Sequence, residues 1–315
     1  MPNEGRCLLN FLLRGVIAVI LACISTTALA DKATYLDLAK RGWNYQLRTT
    51  MLGRDLAIPV HINGRDLAGS SICLVGELPH PWTASVLETF GALAAATFGK
   101  PLPTRYAGKD ARTCGSGRTV LMRLYSGAPP NQALAADLRW MSRTYELGLP
   151  ERRRYAANSP AMAQTFFGKR GQGTHIMVQQ PSRPHLDRLE KQFYKSILLE
   201  ELFQSFTFGM DVLIFDRREQ LQSKLQETPF DLYRLPWGSR AFMRALLTSN
   251  PARLCAFDVF MMHAIAQAPV DQTIEAAFLD YIENQYDALA DLAEMTMLDP
   301  RFAGIVDPTC KRPSL

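Results

Sequence analysis

Histidine is scarce in this chain, and it is missing where a zinc enzyme would need it. Five histidines occur in 315 residues, and none lies between His185 and His263. That gap holds the apolar segment Tyr194-Lys-Ser-Ile-Leu-Leu-Glu-Glu-Leu-Phe-Gln-Ser-Phe-Thr-Phe-Gly-Met-Asp211. Its Glu200-Glu201-x-x-Gln204 has the spacing of the zinc-protease helix H-E-x-x-H with both histidines replaced. No C-x-x-C occurs, which removes a cysteine zinc site. No G-x-S-x-G occurs either, so a hydrolase nucleophile elbow has no support. Gly168-Lys-Arg-Gly-Gln-Gly173 lacks the G-K-[ST] order and is followed by a strand pattern, which excludes a phosphate loop. Charge of neither sign dominates: 35 Lys and Arg face 30 Asp and Glu, a net +5 too mild for a nucleic-acid partner. Arg152-Arg153-Arg154 reads as a solvated loop.

What is present begins with an export signal. Arg6 and Arg14 supply positive charge, Gly15 to Cys23 is an apolar core, and Ala28-Leu29-Ala30 is a small-x-small cleavage site. The leader is therefore read as residues 1–30. A lipoprotein signal at Cys23 is the rival, with Leu21 bulky for that site. The apolar core is too short to span a bilayer, and no later segment is apolar enough to do so. The expected location is periplasmic or secreted. About 285 residues remain, with a net charge of about +4 once two Arg and one Glu leave with the leader. A hydrophobic content of 47% supports a real core.

Cys7 and Cys23 belong to the leader, which leaves Cys73, Cys114, Cys255 and Cys310. An even number in an exported chain points to disulfides. Of the three pairings, Cys73–Cys114 and Cys255–Cys310 keep each bridge within its own half.

Hydrophobic periodicity predicts a helix over 31–50, a strand Leu56–Ile62, a helix from Pro81 to Phe98 and a strand Thr119–Tyr125. A short helix over Ala133–Tyr145 follows. Residues 148–173 read as an irregular cleft-rim loop, because Gly and Pro recur through them. A strand Thr174–Gln179 and the long helix Leu186–Phe208 come next, then helices over Arg240–Thr248, Arg253–Gln267 and Thr273–Met297. The fold class is α+β, with a mixed sheet packed on helices in 31–216 and an all-helical C-terminal part in 217–315 packed on it. Strand, helix, strand, strand and motif helix is also the order of a minimal zincin domain.

Residues four apart on a helix share a face, so Glu200 and Gln204 point the same way, with Glu201 beside them. In a zinc protease this geometry gives two metal ligands and one general base. Gln is a poor zinc ligand, and Thr207 and Met210 stand where a third histidine would follow. His61, His80, His175, His185 and His263 are scattered and read as surface or hydrogen-bonded residues. An oxygen site for Ca²⁺ or Mn²⁺ from Glu200, Glu201, Gln204, Asp211 and Asp216 is one alternative. Metal-free acid–base work by the paired glutamates is another. The reading preferred here is a buried polar network that ties the helix to its exit loop.

Residues 198–253 resemble the domain-of-unknown-function family 2927, a group of exported bacterial proteins. That family shows E-E-[hydrophobic]-x-Q-x-L-G-L, an Asp, and an I-F-N-D-like piece. Glu200, Glu201, Gln204 and Asp211 match, Phe206-Thr207-Phe208 stands for the L-G-L, and Ile214-Phe215-Asp216 for the last piece. A following L-L-R-x-L-Y-D-P-R-L-like segment is similar to residues 242–254, with Arg244, Pro251 and Arg253 in register. Thr207 replaces a glycine, Asn250 replaces an acid, and the family's cysteine before the double Glu is absent. The resemblance implies a relative of zinc proteases that has lost its histidines.

The expected protein is thus a non-catalytic binding or structural protein of the cell envelope, without metal or cofactor, with a protein or peptide partner. Glu200, Glu201, Gln204, Asp211 and Asp216 are its candidate site. Two alternatives stand beside it: a peptidase-like hydrolase using Glu201 as general base, and a partner-binding module built on the C-terminal helices.

Overall fold

The computed structural model describes residues 32–45, 58, 60–117, 119–231 and 234–310. The expected leader and its cleavage site lie outside them. Among the described residues the fold is α+β. It has a five-stranded mixed sheet, a two-stranded ribbon and eight α-helices. The first helix, α1, covers 32–43. The main sheet holds β1 (Ser71–Gly76), β2 (Thr104–Tyr106), β3 (Thr119–Tyr125), β4 (Ala161–Gly168) and β5 (Gly171–Gln179), in the order β2-β1-β3-β5-β4. All its neighbours are parallel except β4, which pairs antiparallel with β5 at one edge.

The central strands are buried on both faces, as parallel strands are. Ile72, Leu74, Val120, Met122, Leu124, Ile176 and Val178 point to one face, where α2 (Pro81–Phe98) and α4 (Arg188–Thr207) pack. Cys73, Val75, Leu121, Tyr125 and Met177 point to the other, under α3 (Asn131–Tyr145). The first core continues without a break into the helices that follow, α5 (Arg240–Ser249), α6 (Ala256–Gln267), α7 (Ala276–Asn284) and α8 (Tyr286–Leu298). In α6, residues 257–265 are all buried, so it is a central helix rather than an amphipathic cover.

Several elements differ from the sequence expectation. The described part of the expected strand Leu56–Ile62 is irregular. There the Ile62 carbonyl accepts from Thr273 N at 2.9 Å instead of joining a ladder, and Asn63 caps a 3₁₀ turn at Gly64–Leu67. The first strand among the described residues is Ser71–Gly76, a six-residue run too short to announce itself by alternation. The 148–173 loop contains β4, joined to β5 through Lys169-Arg170 in a tight hairpin between two glycines. The expected single helix 273–297 breaks at Gln285 into α7 and α8. No helix among the described residues is long and apolar enough to cross a membrane.

Two disulfides join Cys73 to Cys114 and Cys255 to Cys310, the pairing expected from the sequence. The small ribbon pairs β6 (Val212–Leu213) with β7 (Gln226–Glu227) in parallel, so the expected boundary after residue 216 falls inside it. Gly209 starts the approach to this ribbon. A Cβ there would lie 2.5 Å from Leu225 Cδ1 and 2.8 Å from Trp43 Cζ2, so only glycine lets the chain leave α4 this closely packed.

Candidate functional site

Helix α4 begins with a reciprocal cap. Asp187 Oδ1 accepts from Glu190 N, and Glu190 Oε2 accepts from Asp187 N, each at 3.0 Å. From there the helix runs through the core, with Leu198, Leu199, Leu202, Phe203 and Phe206 all buried. Glu200 and Glu201 are carried into that interior and are each only 7% exposed.

A lysine meets them. Lys224, in the turn between β6 and β7, has no exposed surface. Its Nζ donates to Ser196 Oγ at 2.8 Å, Asn250 Oδ1 at 2.8 Å and the Pro251 carbonyl at 2.6 Å, and lies 3.5 Å from Glu200 Oε2. Ser196, Glu200 and Gln204 recur every four residues and form one stripe along α4. Lys224 holds the upper end of that stripe. At the lower end Gln204 Nε2 donates to Asp211 Oδ1. The chain after α4 is thereby laid back along the helix.

The lysine turn has its own anchor. Asp258, in the first turn of α6, accepts from Ser223 Oγ at 2.6 Å, Lys224 N at 2.9 Å and Cys255 N at 2.7 Å. Burial pushes Asp258 up to about 7 against the pull of these donors. The Asn250 side-chain NH₂ is buried without a hydrogen-bond partner.

Glu227 completes the cluster from β7. Glu201 is pushed well above the usual carboxylate range, first by burial, then by the charges of Glu200, Asp211 and Glu227. Glu227 rises for the same reasons, with Glu200 its strongest charged neighbour. Asp211 lies at the solvent-exposed end of the cluster. Crowding by protein and the Glu200 charge nonetheless push it up to about 7. Burial lowers the Lys224 pKa, while the charges of Glu200, Glu227 and Asp258 oppose that fall. No group of three or more His, Cys, Asp or Glu side chains among the described residues is arranged to hold a metal ion.

Four of the five residues singled out in the sequence, Glu200, Glu201, Gln204 and Asp211, meet here. Asp216 does not. It is exposed and pairs with Arg218, 3.1 Å from its guanidinium. The network adds Ser196, Lys224, Glu227, Asn250 and Asp258, none of which the sequence reading placed at the site. Asn250 carried the one signal, as a departure from the family pattern. The histidines stay away from α4's motif. His61 bonds Asp66 and Asp271, His80 caps α2, His175 bonds Asp137 and His263 bonds Thr296.

Glu200 and Glu201 are buried, whereas Gln204 reaches a small pocket of about 170 Å³. The pocket lies between β4, through Gln164 and Thr165, and the end of α4, with Tyr45 on its wall. No protein-family model, curated protein or solved structure matches the chain.

The cluster sets a pH dependence. Asp211, Glu201, Glu227 and Asp258 hold protons more tightly folded than unfolded. Their stabilising contribution is complete below the unfolded carboxylate range of about 4 and is lost as pH rises, for Asp211 and Asp258 through about 7. The thermal midpoint is therefore expected to fall between about pH 5 and pH 8, and Asp211→Asn to flatten the slope. A midpoint that climbs across this window would contradict the assignment.

Proposed function

We propose that the chain is an exported, non-catalytic protein of the cell envelope with a zincin-like fold, whose motif helix has become a structural and binding element. One observation carries this reading. A wholly buried lysine ammonium lies 3.5 Å from Glu200, the residue standing where the first metal-binding histidine would be. The internal cation supplies the positive charge that a metal would otherwise bring to these carboxylates. The order of elements and the antiparallel edge strand β4 beside α4 support the zincin likeness, as does the resemblance to the uncharacterised exported family. A protein or peptide segment is the partner proposed. It would lie beside β4, where Gln204 and Tyr45 wall the small pocket, and pair through the strand's edge.

A peptidase-like hydrolase is the second reading, favoured by the raised proton affinity of Glu201. It requires Glu201 to meet substrate, and Glu201 is only 7% exposed. Metal analysis after mild purification separates the two. The expected result is zinc far below one per chain, with Glu201→Gln near wild type in thermal midpoint because the amide keeps the shape of a carboxyl whose charged form burial already disfavours. One tightly bound zinc per chain, or a peptide cleavage that Glu201→Gln abolishes, would overturn the non-catalytic reading.

A further inference from the structure

On the sheet face opposite α4, a second concavity of about 430 Å³ opens between α3 and the loop that follows β2. Its size is that of a small-molecule site. Arg123 of β3 forms the floor and is clamped by Asp137 of α3, with Nε and Nη2 donating at 2.5 and 2.6 Å. His175 of β5 approaches the same carboxylate at 3.1 Å. All three side chains are almost fully buried, so the floor is rigid and internally neutralised. Ala133 and Ala136 keep the α3 wall low and leave the space open.

The rim is different. Arg112 is neutralised by Asp110, at 2.8 Å from Arg112 Nε. Lys109, Arg139 and Arg143 also line the concavity, and among the described residues none of them has an ion-pair or hydrogen-bond partner for its charged end. Arg139 and Arg143 are four apart on α3, a spacing at which like charges work against the helix. Three uncompensated cations thus converge on one hollow in a chain whose total excess is only +5. Trp140, partly buried and edge-on to Tyr145 at 6.4 Å, adds an aromatic wall.

We propose that this hollow binds a phosphate-bearing ligand, its multiply charged group held by Arg139, Arg143 and Lys109 above the Arg123–Asp137 floor. Arginine forks match phosphate oxygens in pairs. Three spare positive charges match the two or more negative charges of a phosphomonoester or pyrophosphate better than the single charge of a monocarboxylate. The apolar part of the ligand rests on Trp140. A free small molecule and a phosphomonoester lipid headgroup present the same group to these side chains, and the test separates the two sources. This site is separate from the α4 cluster, so its test is independent of the function proposed above.

The test titrates the purified chain calorimetrically with pyrophosphate, and separately with vesicles containing phosphatidic acid, a lipid phosphomonoester, against phosphatidylcholine vesicles. Saturable binding to pyrophosphate or to the anionic vesicles alone is expected, weakened roughly tenfold or more in Arg139→Ala/Arg143→Ala. Both side chains are exposed, so the variant should keep the wild-type thermal midpoint. Arg217→Ala/Arg218→Ala, an exposed pair elsewhere, should bind as wild type. A pyrophosphate response assigns a soluble ligand, and a vesicle response without it assigns a headgroup. The proposal fails if neither probe binds saturably, if the Arg139/Arg143 variant binds as tightly as wild type, or if citrate binds as well as pyrophosphate.

Discussion

Lys224→Met is expected to destabilise the protein by about 3–5 kcal/mol near neutral pH, the usual cost of stripping one partner from a buried charge cluster. Methionine fills much of the lysine's volume, so the loss would come from electrostatics rather than from a cavity. The ammonium accounts for three hydrogen bonds of 2.6–2.8 Å and the contact with Glu200. Without it, Glu200 loses its ion-pair partner while Glu201 and Glu227 stay crowded beside it. The thermal midpoint should drop on the order of 10 °C. Two controls identify the cause. At about pH 5 Asp211 and Asp258, both pushed up to about 7, take up protons and part of the loss should return. Glu200→Gln should destabilise the wild type yet partly rescue Lys224→Met, giving a coupling energy in a double-mutant cycle. A loss that is the same at both pH values and additive with Glu200→Gln would remove Lys224 from its place as the counter-charge.

Asp137→Ala is expected to cost about 3–5 kcal/mol as well, for the complementary reason. Here the group left behind is a cation. Arg123 and Asp137 are 6% and 2% exposed, and among the described residues the other acceptor for the Arg123 side chain is the Lys109 carbonyl at 3.2 Å. Burial alone would raise the Asp137 pKa, but hydrogen bonds from Arg123 and His175 overcome it and hold the carboxyl below the ordinary value of 3.8. Its contribution is therefore present above that value and lost as pH falls through the lower folded pKa. Chemical denaturation of the variant near neutral pH measures the full loss. A change under about 1 kcal/mol would mean that water already satisfies Arg123. The two ion clusters pull in opposite pH directions, the α4 cluster favouring mild acid and the Asp137 cluster failing only in stronger acid.

Elements with a long, clean period were legible in the sequence. Strand β3, helix α2 and helix α4 stand within a residue or two of their expected bounds, the helices because their apolar positions repeat over several turns and β3 because seven residues rich in apolar and β-branched side chains stand together. The elements that were missed depend on partners. Strand β1 is short and buried on both faces, so no alternation marks it. Strand β4 hides behind glycines that serve a hairpin rather than a loop. At the site, the stripe of Ser196, Glu200 and Gln204 was visible as a spacing. Lys224 was not. A lone lysine among Gln220, Gln222 and Gln226 reads as solvated, and only the ribbon pairing carries it under α4. The sequence showed that the glutamates needed a partner. It could not show that a residue twenty-four positions on, outside any periodic element, would be that partner.

The two disulfides carry a consequence of their connectivity. Cys73 joins the next cysteine of the described chain, Cys114, and Cys255 joins the next after it, Cys310, so the two closed loops are consecutive and never interleave. A chain threaded through a pore from its N-terminus would present each thiol's correct mate before any wrong one from the other loop. The first link can close while the second half is still emerging. Simple order of arrival then selects the native bonds, and a general thiol oxidant suffices where an interleaved pattern would call for shuffling.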